Sequence, residues 1–434
     1  MQAVMMVGGK GTRLKSYTDK IPKPMIPIGD KPILLHQIET MKRYGIDSII
    51  MVLGYKGEII KNYFKNGKDL SVHIQYIEED VPLGTAGSFV YLKDRIGEDF
   101  LLVFGDVFFD IDLSRFIRFH YYKKSLATLL CHPNSHPDDS DLIVLNPQDQ
   151  VTGFDSKNNQ RNYYYRNCVN AGLYVLNHTI LNTVTQPEKT DLDKDILLPL
   201  IDAGSNVFAY RTSEYAKDMG TEERLIQVET DYRNGVTRDR NLCNKQKCIF
   251  LDRDGTLNRY KGFISDINEL ELEDGAAEAI RLINQSSYLC IVITNQPVIA
   301  RNLCTVEQLD SIHNKMETLL GKAGAYLDDL HYCPHHPDKG FPEENPLYKM
   351  DCQCRKPKTG LIEASITKYN IDPKLSYMIG DSTTDIQTAK NAGLAPILIL
   401  TGEAGLDGKY PADADMTCPN LLAAVRFILD KKVR

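Results

Sequence analysis

Two short stretches of the sequence combine residue types that handle phosphate groups. Residues 8–13 read Gly-Gly-Lys-Gly-Thr-Arg, and residues 252–256 read Asp-Arg-Asp-Gly-Thr. Glycine tolerates positive φ and close backbone approach, so successive N–H groups of the first stretch can face a phosphate. In the second stretch, one carboxylate can attack phosphorus while the other protonates the leaving oxygen and later activates water. The first stretch predicts nucleotide-phosphate binding, and the second predicts phosphate removal through an aspartyl-phosphate.

Each stretch also has a structural alternative. A glycine-rich turn can be only a tight connection between a strand and a helix, and Asp-x-Asp-Gly also occurs in calcium loops. The further acidic positions of a calcium loop are missing after residue 256, and an apolar run, Cys248–Leu251, precedes the motif. The carboxylates are therefore expected at the carboxyl end of a strand, where open α/β sheets bind ligands.

A third cluster has the composition of a zinc site. Cys333, His335, Cys352 and Cys354 supply three thiolates and an imidazole, which suits tetrahedral zinc. The intervening loop, 338–351, is rich in proline, glycine and charge, so it cannot be ordered by burial of apolar side chains. A structural metal is a plausible way to order it. His336 is the alternative imidazole ligand, and three free cysteines in a flexible loop are the alternative without metal.

The elements that must position these residues are predicted from alternating apolar runs. A chain of 434 residues exceeds the usual size of one core, so we expect two domains. Short apolar runs between longer amphipathic stretches indicate α/β sheets. The predicted strands are Ala3–Val7, Ser48–Leu53, His73–Ile77, Phe100–Phe104, Leu126–Cys131, Cys248–Leu251, Leu289–Ile293, Ser376–Ile379 and Ala395–Ile399. We predict domains over 1–231 and 247–434, joined by a charged linker at 232–246.

Bulk properties favour small-molecule chemistry. The net charge of −7 argues against a nucleic-acid or anionic-membrane surface, and no apolar run reaches membrane-spanning length. Met1–Val7 is apolar without basic flanks, which favours a strand over a signal peptide. Ten cysteines without a signal sequence indicate a reducing cytoplasm. We therefore expect a cytoplasmic enzyme with small-molecule substrates and no nucleic-acid or membrane partner; the sequence leaves the oligomeric state open.

Several separated motifs of the first 230 residues together resemble one family. After the glycine loop come Pro22-Lys23-Pro24-Met25, Leu83-Gly84-Thr85-Ala86-Gly87, Phe104-Gly105-Asp106, Asn170-Ala171-Gly172 and Lys217-Asp218-Met219-Gly220-Thr221. The set resembles the sugar-phosphate nucleotidyltransferase family, which includes GDP-mannose and glucose-1-phosphate types. That resemblance implies a Rossmann-like domain that joins a nucleoside triphosphate to a sugar 1-phosphate and releases pyrophosphate.

The resemblance also implies roles for individual residues. The implied residues are Gly8, Gly9, Gly11, Thr12, Gly84 and Thr85 for the nucleotide, Arg13 and Lys23 for the reacting phosphates, Asn170 and Gly172 for the sugar, and Asp106 and Asp218 for magnesium. Taken singly, Asp106 could be a turn-capping residue and Lys23 a surface lysine. The pair Glu78-Glu79 is similar to the guanylyl-transferring branch, since a carboxylate can accept from guanine N1–H and the 2-amino group. A solvated acidic turn is the alternative, so GTP is the first choice of donor without the base being fixed.

The second half resembles the haloacid dehalogenase phosphatase superfamily. After the Asp-x-Asp motif come Ile293-Thr294-Asn295-Gln296, Arg355-Lys356-Pro357, and Gly380-Asp381 with Asp385. The implied roles are nucleophile for Asp252, acid/base for Asp254, phosphate ligands for Thr294 and Lys356, magnesium ligands for Asp252, Asp381 and the Asp254 carbonyl, and substrate contacts for Asn295, Arg301 and Arg355. Asp385 is expected to orient its neighbours. The zinc loop is similar to the histidinol-phosphate and heptose-bisphosphate phosphatase subfamily, which lacks a large cap domain.

The two resemblances suggest consecutive steps on one metabolite. The phosphatase would remove the 7-phosphate of D-glycero-D-manno-heptose 1,7-bisphosphate, and the nucleotidyltransferase would then activate the heptose 1-phosphate for surface glycans such as lipopolysaccharide. A histidinol-phosphate phosphatase fused to a hexose-1-phosphate nucleotidyltransferase is the first alternative. In the second alternative, one domain is catalytically silent and acts as a sensor or assembly module. Magnesium in both domains and structural zinc in the second are the implied cofactors.

Overall fold

The chain forms two compact units, each built around its own sheet. The computed structural model describes residues 1–9, 14, 18–338, 340 and 344–430. The first unit contains Met1–His132, Asp141–Ser156 and Cys168–Asn241, and the second contains Pro133–Ser140, Lys157–Asn167 and the chain from Leu242 onward. Two short segments from the N-terminal half therefore belong to the second unit.

The first unit is a mixed α/β structure. Its strands are β1 Gln2–Met6, β2 Pro27–Ile28, β3 Lys31–Pro32, β4 Ser48–Leu53, β5 His73–Glu78, β6 Phe100–Phe104, β7 Val107–Asp110, β8 Ala127–His132, β9 Leu142–Leu145, β10 Val151–Asp155, β11 Val169–Leu176, β12 Val207–Arg211 and β13 Tyr215–Asp218. Its α-helices are α1 Ile33–Arg43, α2 Gly57–Phe64, α3 Leu113–Lys123, α4 Leu198–Asp202, α5 Glu222–Arg233 and α6 Val236–Asp239.

The main sheet of this unit is buried on both faces. Its path through the described residues runs β10-β9-β11-β6-β1-β4-β5, with β8 pairing to β11 and β12 pairing to β8. Successive side chains of a strand point to opposite faces. Accordingly, Ala3 and Met5 of β1 enter one core cluster, and Val4 enters the other. The strands β6, β1, β4 and β5 are parallel, so their carboxyl ends lie along one edge of the sheet.

The second unit has a parallel sheet. Its strands are β14 Lys247–Leu251, β15 Tyr288–Asn295, β16 Asp329–Cys333, β17 Tyr377–Gly380, β18 Ala395–Ile399 and β19 Met416–Cys418. Its α-helices are α7 Ala276–Asn284, α8 Val306–Lys322, α9 Gly360–Tyr369, α10 Thr383–Ala392 and α11 Leu421–Asp430. The strand order is β16-β15-β14-β17-β18-β19, and every pairing is parallel. The central strand β14 sends Ile249 and Leu251 into one core and Cys248 and Phe250 into the other.

These features confirm the expected α/β class. Every strand predicted from an apolar run overlaps an observed strand. The segment predicted to be a linker, 232–246, is partly helical. Helix α5 continues to Arg233, and α6 follows at Val236–Asp239. A single helical turn is too short to show a 3.6-residue apolar period, although its Thr237 is buried. The domain division itself stays a prediction. No described helix has the length and apolarity needed to span a membrane.

Candidate active sites

A cavity of about 470 Å³ lies at the carboxyl ends of the parallel strands of the first unit. Residues that follow β1, β5 and β6 line it, as expected for an open α/β sheet. The lining contains Met6, Val7, Gly8, Gly9, Leu14, Lys23, Pro24, Glu79, Pro82, Gly84, Thr85, Phe104, Asp106 and Gly220. Of the predicted nucleotide-site residues, Gly11, Thr12 and Arg13 lie outside the described part of the chain.

The loop at Gly84 and Thr85 is fixed against the segment near residue 190. Gly84 has φ +80°, and a Cβ there would lie 2.5 Å from the Thr190 carbonyl oxygen, so the position requires glycine. The Thr85 backbone N–H donates to the same oxygen at 3.0 Å, and the Thr85 hydroxyl accepts from the Leu192 N–H at 2.7 Å. The wall of the cavity is thus set by close backbone contacts.

The two carboxylates predicted to bind magnesium are brought close together by a strand pair. Asp106 directly precedes β7, and Asp218 ends β13 opposite Val107 of β7. Lys23 Nζ lies 2.6 Å from Asp106 Oδ2, and its side chain is only 9% exposed. Arg224 Nη1 lies 2.8 and 2.7 Å from the two Asp218 oxygens. Each carboxylate therefore already contacts a cation.

Glu79, not its neighbour Glu78, faces the cavity. Glu78 is paired with Lys61 at 2.6 Å, and its side chain is 61% exposed. Glu79 lines the cavity, and its buried Oε1 has no hydrogen-bond partner among the described residues. Burial raises the pKa of Glu79. When ionised, this carboxyl group could accept N–H donors from a bound ligand.

The predicted sugar-contacting turn is held by a tyrosine and an aspartate. Asn170 Nδ2 donates to Tyr174 Oη at 2.7 Å and to Asp193 Oδ2 at 3.0 Å, while Asn170 Oδ1 accepts from the Gly172 N–H at 3.1 Å. The Tyr174 hydroxyl also donates to Asp193 Oδ1 at 3.1 Å. Burial raises the pKa of Asp193 to about 7, and the carboxylates of Asp191 and Asp141 add to this effect.

In the second unit, three carboxylates and a lysine meet at the carboxyl ends of β14 and β17. Oxygens of Asp252, Asp381 and Asp385 lie within 4.8 Å of one another. Lys356 Nζ lies 2.9 Å from Asp252 Oδ1 and 2.5 Å from Asp385 Oδ1, and its side chain is 2% exposed. Asp385 also accepts a hydrogen bond from the Ser382 hydroxyl at 2.7 Å. Its contacts with Ser382 and Lys356 hold these two side chains in place.

The donor set and its surroundings fit a small divalent cation. Burial raises the pKa of Asp252 to about 6 and that of Asp381 to about 8, and in both cases nearby carboxylates add to the effect. A bound cation would offset this repulsion. A Cβ at Gly255 would lie 2.2 Å from Asp381 Oδ2, so the backbone at Gly255 lies directly against this carboxylate. Carboxylates and a backbone carbonyl are the oxygen ligands that magnesium prefers.

The side chain of Asp254 is surrounded by hydrogen-bond donors. Arg253 Nε and Nη2 donate to Asp254 Oδ1 at 3.1 and 2.9 Å. Asn258 donates to Oδ1 at 3.0 Å, and Gln296 donates to Oδ2 at 2.7 Å. Gln296 also contacts the buried Thr294 hydroxyl at 2.9 Å. The two motifs, 252–256 and 293–296, are thereby connected through side chains.

Of the other predicted phosphatase residues, Asn295 ends β15, and Arg301 and Arg355 lie on loops. Asn295 exchanges hydrogen bonds with the backbone of Lys356, at 3.0 and 3.2 Å. Arg355 Nη1 donates to the His335 carbonyl oxygen at 3.1 Å. The Arg301 guanidinium lies over the Phe263 ring, 4.5 Å from its centroid. The structure thus ties Arg355 and Lys356 to the cysteine loop and to β15.

The predicted zinc ligands form a compact cluster. The separations of the three Sγ atoms are 3.5 Å for Cys333 and Cys352, 3.2 Å for Cys333 and Cys354, and 3.2 Å for Cys352 and Cys354. His335 Nδ1 lies 3.2 Å from Cys354 Sγ, whereas His336 Nδ1 accepts from the Asp338 N–H. Zn–S bonds of about 2.3 Å in a tetrahedron require donor atoms at similar spacing.

Replacing Cys352 by serine tests whether the cluster holds zinc. We expect about one zinc per chain in the wild type and less than about a tenth of that in Cys352→Ser, because loss of a thiolate ligand weakens a four-ligand site strongly. Elemental analysis after desalting measures this ratio. Cys243→Ser, an exposed cysteine outside the cluster, is the matched control. Wild-type protein without stoichiometric zinc would contradict the assignment.

Sequence reasoning missed several residues that the fold brings to these sites. Arg224 pairs with Asp218 from the first turn of α5, Asp193 contacts Asn170, and His313 on α8 contacts Arg253. Asn258 follows the Asp-x-Asp motif closely enough for that stretch to have indicated it. Asp193 and His313 carry no local signal, because their partners lie 23 and 60 positions away.

Comparison with known proteins assigns both halves. Residues 2–235 match the nucleotidyl transferase family model, and residues 353–424 match the HAD-hydrolase-like model. Over 185 residues the chain is 35% identical to D-glycero-beta-D-manno-heptose-1,7-bisphosphate 7-phosphatase of Haemophilus ducreyi, covering 42% of this chain and 98% of that protein. Over 238 residues it is 29% identical to mannose-1-phosphate guanylyltransferase of Mycobacterium tuberculosis, covering 54% of this chain and 66% of that enzyme.

A solved structure is also similar to part of the chain. It is D,D-heptose 1,7-bisphosphate phosphatase from B. bronchiseptica complexed with magnesium and phosphate, with 33% identity and a TM-score of 0.38, covering 43% of this chain and 99% of that chain. The first family model spans more than half of the chain, and the phosphatase relative is matched over nearly its whole length. The chain therefore belongs to the nucleotidyl transferase family and, in its other half, to the HAD-like heptose-bisphosphate phosphatases, and it is a bifunctional enzyme.

Proposed function

We propose that the enzyme catalyses two consecutive steps that activate a heptose. The second unit hydrolyses the 7-phosphate of D-glycero-D-manno-heptose 1,7-bisphosphate. The first unit transfers a nucleotidyl group, with GTP as the first choice of donor, to the resulting heptose 1-phosphate and releases pyrophosphate. The substrates are small molecules, and we place both reactions in the cytoplasm, where nucleoside triphosphates are available.

The observation that carries this proposal is the pairing of relatives. The phosphatase half is similar to an enzyme whose name specifies removal of the 7-phosphate, and the other half is similar to enzymes that guanylylate a sugar 1-phosphate. A heptose 1-phosphate is both the product of the first reaction and a chemically suitable acceptor for the second. The phosphatase must be selective for the 7-phosphate, because removal of the 1-phosphate would destroy the acceptor of the second reaction.

In the phosphatase, Asp252 forms a bond to phosphorus as the bond from phosphorus to the 7-oxygen breaks. Asp254 gives its proton to that oxygen, which leaves as the heptose hydroxyl. Asp254, now a carboxylate, then takes a proton from water, which attacks the aspartyl-phosphate and releases inorganic phosphate. Lys356, 2.9 Å from Asp252, is placed to balance the negative charge of the phosphoryl group.

The phosphatase would hold magnesium through Asp252, Asp381 and the Asp254 carbonyl, and the ion would neutralise phosphate charge next to the nucleophile. Structural zinc would be held by the cluster of Cys333, His335, Cys352 and Cys354. Because Arg355 contacts the His335 carbonyl, ordering of this loop positions Arg355 and its neighbour Lys356. Zinc at this cluster would therefore support catalysis by fixing the loop that carries Arg355 and Lys356.

In the nucleotidyltransferase, a phosphate oxygen of the sugar attacks the α-phosphorus of the triphosphate. The bond to the pyrophosphate oxygen breaks, and no protein base is needed because the attacking oxygen is already an anion. Asp106 and Asp218 would hold magnesium, which offsets the charge of the triphosphate. Once a phosphate is bound, Lys23 can transfer its contact from Asp106 to that phosphate.

Glu79 supports guanine as the base, and its substitution tests this choice. We expect Glu79→Gln to raise the KM for GTP about 10- to 100-fold, because it loses a charge-assisted pair of hydrogen bonds to N1–H and the 2-amino group. Steady-state pyrophosphate release at varied GTP measures it. Glu78→Gln, exposed and paired with Lys61, is the matched control and should leave the KM unchanged. Equal effects of the two variants would contradict the assignment.

One incubation tests the whole proposal. The protein is mixed with heptose 1,7-bisphosphate, magnesium and each of four nucleoside triphosphates, and the nucleotide sugar is identified by mass. We expect GDP-heptose together with one inorganic phosphate per sugar. A parallel assay with histidinol phosphate in place of the bisphosphate is the comparison, and phosphate release from histidinol phosphate only would overturn the heptose assignment. Absence of either phosphate or pyrophosphate release would indicate that one half is catalytically silent.

A further inference from the structure

Arg253, the middle residue of the Asp-x-Asp motif, lies between the acid/base and a histidine. Its side chain is fully buried. On one edge of the guanidinium, Nε donates to Asp254 Oδ1 and Nη2 donates to both Asp254 oxygens. The remaining nitrogen, Nη1, lies 3.1 Å from His313 Nε2 on α8. The proposed phosphatase mechanism assigns no role to either Arg253 or His313.

The contact requires His313 Nε2 to be an acceptor, because a guanidinium offers only donors. The imidazole must therefore be neutral with Nε2 unprotonated. Its environment favours this form: burial lowers the pKa of His313, and the cations Arg253 and Arg166 lower it further. The ring also packs against the Tyr332 ring, with 5.3 Å between centroids, so its orientation is fixed.

The direction of the Asp254 carboxylate depends on this arrangement. Arg253 supplies the bidentate contact, and a planar guanidinium can form it in only one orientation. Asn258 and Gln296 each contact one oxygen, so neither fixes both. Without His313 the guanidinium would keep Asp254 as its side-chain partner and lose the contact at Nη1, which leaves the plane of the guanidinium, and with it the direction of the carboxylate, less restricted.

We propose that His313 is a positioning residue of the phosphatase, which acts through Arg253 to aim the carboxyl group of Asp254. The inference rests on the proposed function in one respect, the acid/base role of Asp254. In that role Asp254 must deliver a proton to the leaving oxygen and later remove one from water. Misplacement of a catalytic group by about 1 Å can cost about 100-fold in rate.

Replacing His313 by leucine and by glutamine separates its role as a hydrogen-bond acceptor from its role in packing. Leucine fills similar space without an acceptor, whereas the Gln oxygen can accept from Arg253 Nη1. We expect His313→Leu to lower the kcat for phosphate release about 10- to 100-fold with KM within about threefold. His313→Gln should recover most of the kcat. Equal losses in the two variants, or a loss confined to KM, would overturn the proposal.

A double-mutant cycle tests whether His313 acts through Asp254. If it does, the variant combining Asp254→Asn with His313→Leu should lose no more activity than Asp254→Asn alone. Multiplicative losses would show a separate structural effect and would overturn the inference. Zinc content and nucleotidyl transfer to supplied heptose 1-phosphate should be unchanged in every variant, which reports on folding of both halves.

The substrates distinguish this inference from the proposed function. Phosphate release is measured from heptose 1,7-bisphosphate and from glycerol 3-phosphate, whose alkyl oxygen also needs a proton to leave. If the bisphosphate is not hydrolysed, the heptose assignment fails, while the ratios between variants on glycerol 3-phosphate still test His313. If the bisphosphate is hydrolysed and His313→Leu equals the wild type, only the positioning role fails.

Discussion

Replacing Asp252 by asparagine is expected to lower phosphate release at least about 1,000-fold, because a neutral amide cannot form the aspartyl-phosphate. Lys356 lies 2.9 Å from Asp252 and would keep its second partner, Asp385, so the site should remain assembled. Release of inorganic phosphate from heptose 1,7-bisphosphate measures the loss. Nucleotidyl transfer to supplied heptose 1-phosphate should be unchanged.

The stability of Asp252→Asn separates lost chemistry from lost folding. Burial raises the pKa of Asp252 to about 6 in the folded protein, above its ordinary value of 3.8. Ionisation of this group lowers the free energy of unfolding as pH rises from its ordinary pKa to its folded pKa. The destabilisation is fully present above about pH 6. The neutral amide removes this cost, so we expect unfolding at pH 8 to need at least as much urea as in the wild type. Retained phosphate release by a stable variant would refute the nucleophile assignment.

Replacing Asp106 by asparagine is expected to lower pyrophosphate release about 100- to 1,000-fold, the second large effect. The change removes a negative ligand from the proposed magnesium site and leaves Lys23 without the carboxylate it contacts at 2.6 Å. Losing part of the electrostatic stabilisation of a triphosphate transition state costs several kcal/mol, and each 1.4 kcal/mol corresponds to about tenfold in rate. Coupled detection of pyrophosphate measures it.

Two comparisons control the Asp106 experiment. Asp69→Asn, an exposed aspartate of the same unit, should retain wild-type transfer. Phosphate release should also be unaffected, so the two aspartate variants, at 252 and 106, should each strongly lower one activity and spare the other. If Asp106→Asn slowed both reactions equally, a folding defect would explain it better than loss of a metal ligand.

The fold was accessible from the sequence because its strands are apolar and short. β1 and β14 are both buried on two faces, so they read as continuous apolar runs that end at a glycine loop and at an aspartate. Parallel strands bring their carboxyl ends to one edge, which is why the local motifs predicted two sites. The short helix α6 was not predicted, since one turn has no measurable period.

Other features depended on contacts between distant residues. Nothing near Asp193 or His313 in the sequence distinguishes them from other polar residues, and their contacts cross 23 and 60 positions. The segment Lys157–Asn167 belongs to the second unit, where the backbone N–H groups of Tyr165 and Asn167 donate to Thr318 and Glu317 of α8. Its polar, aromatic composition gave no sign of this.

The sequence by itself determined the two reaction classes, because nucleophile, cation and metal-ligand types are properties of residues in local motifs. It also determined the α/β class, because the apolar period is local. Only the tertiary structure decided that Glu79 rather than Glu78 faces the cavity and that His313 contacts Arg253. These choices depend on side-chain direction and on long-range packing, neither of which a linear motif specifies.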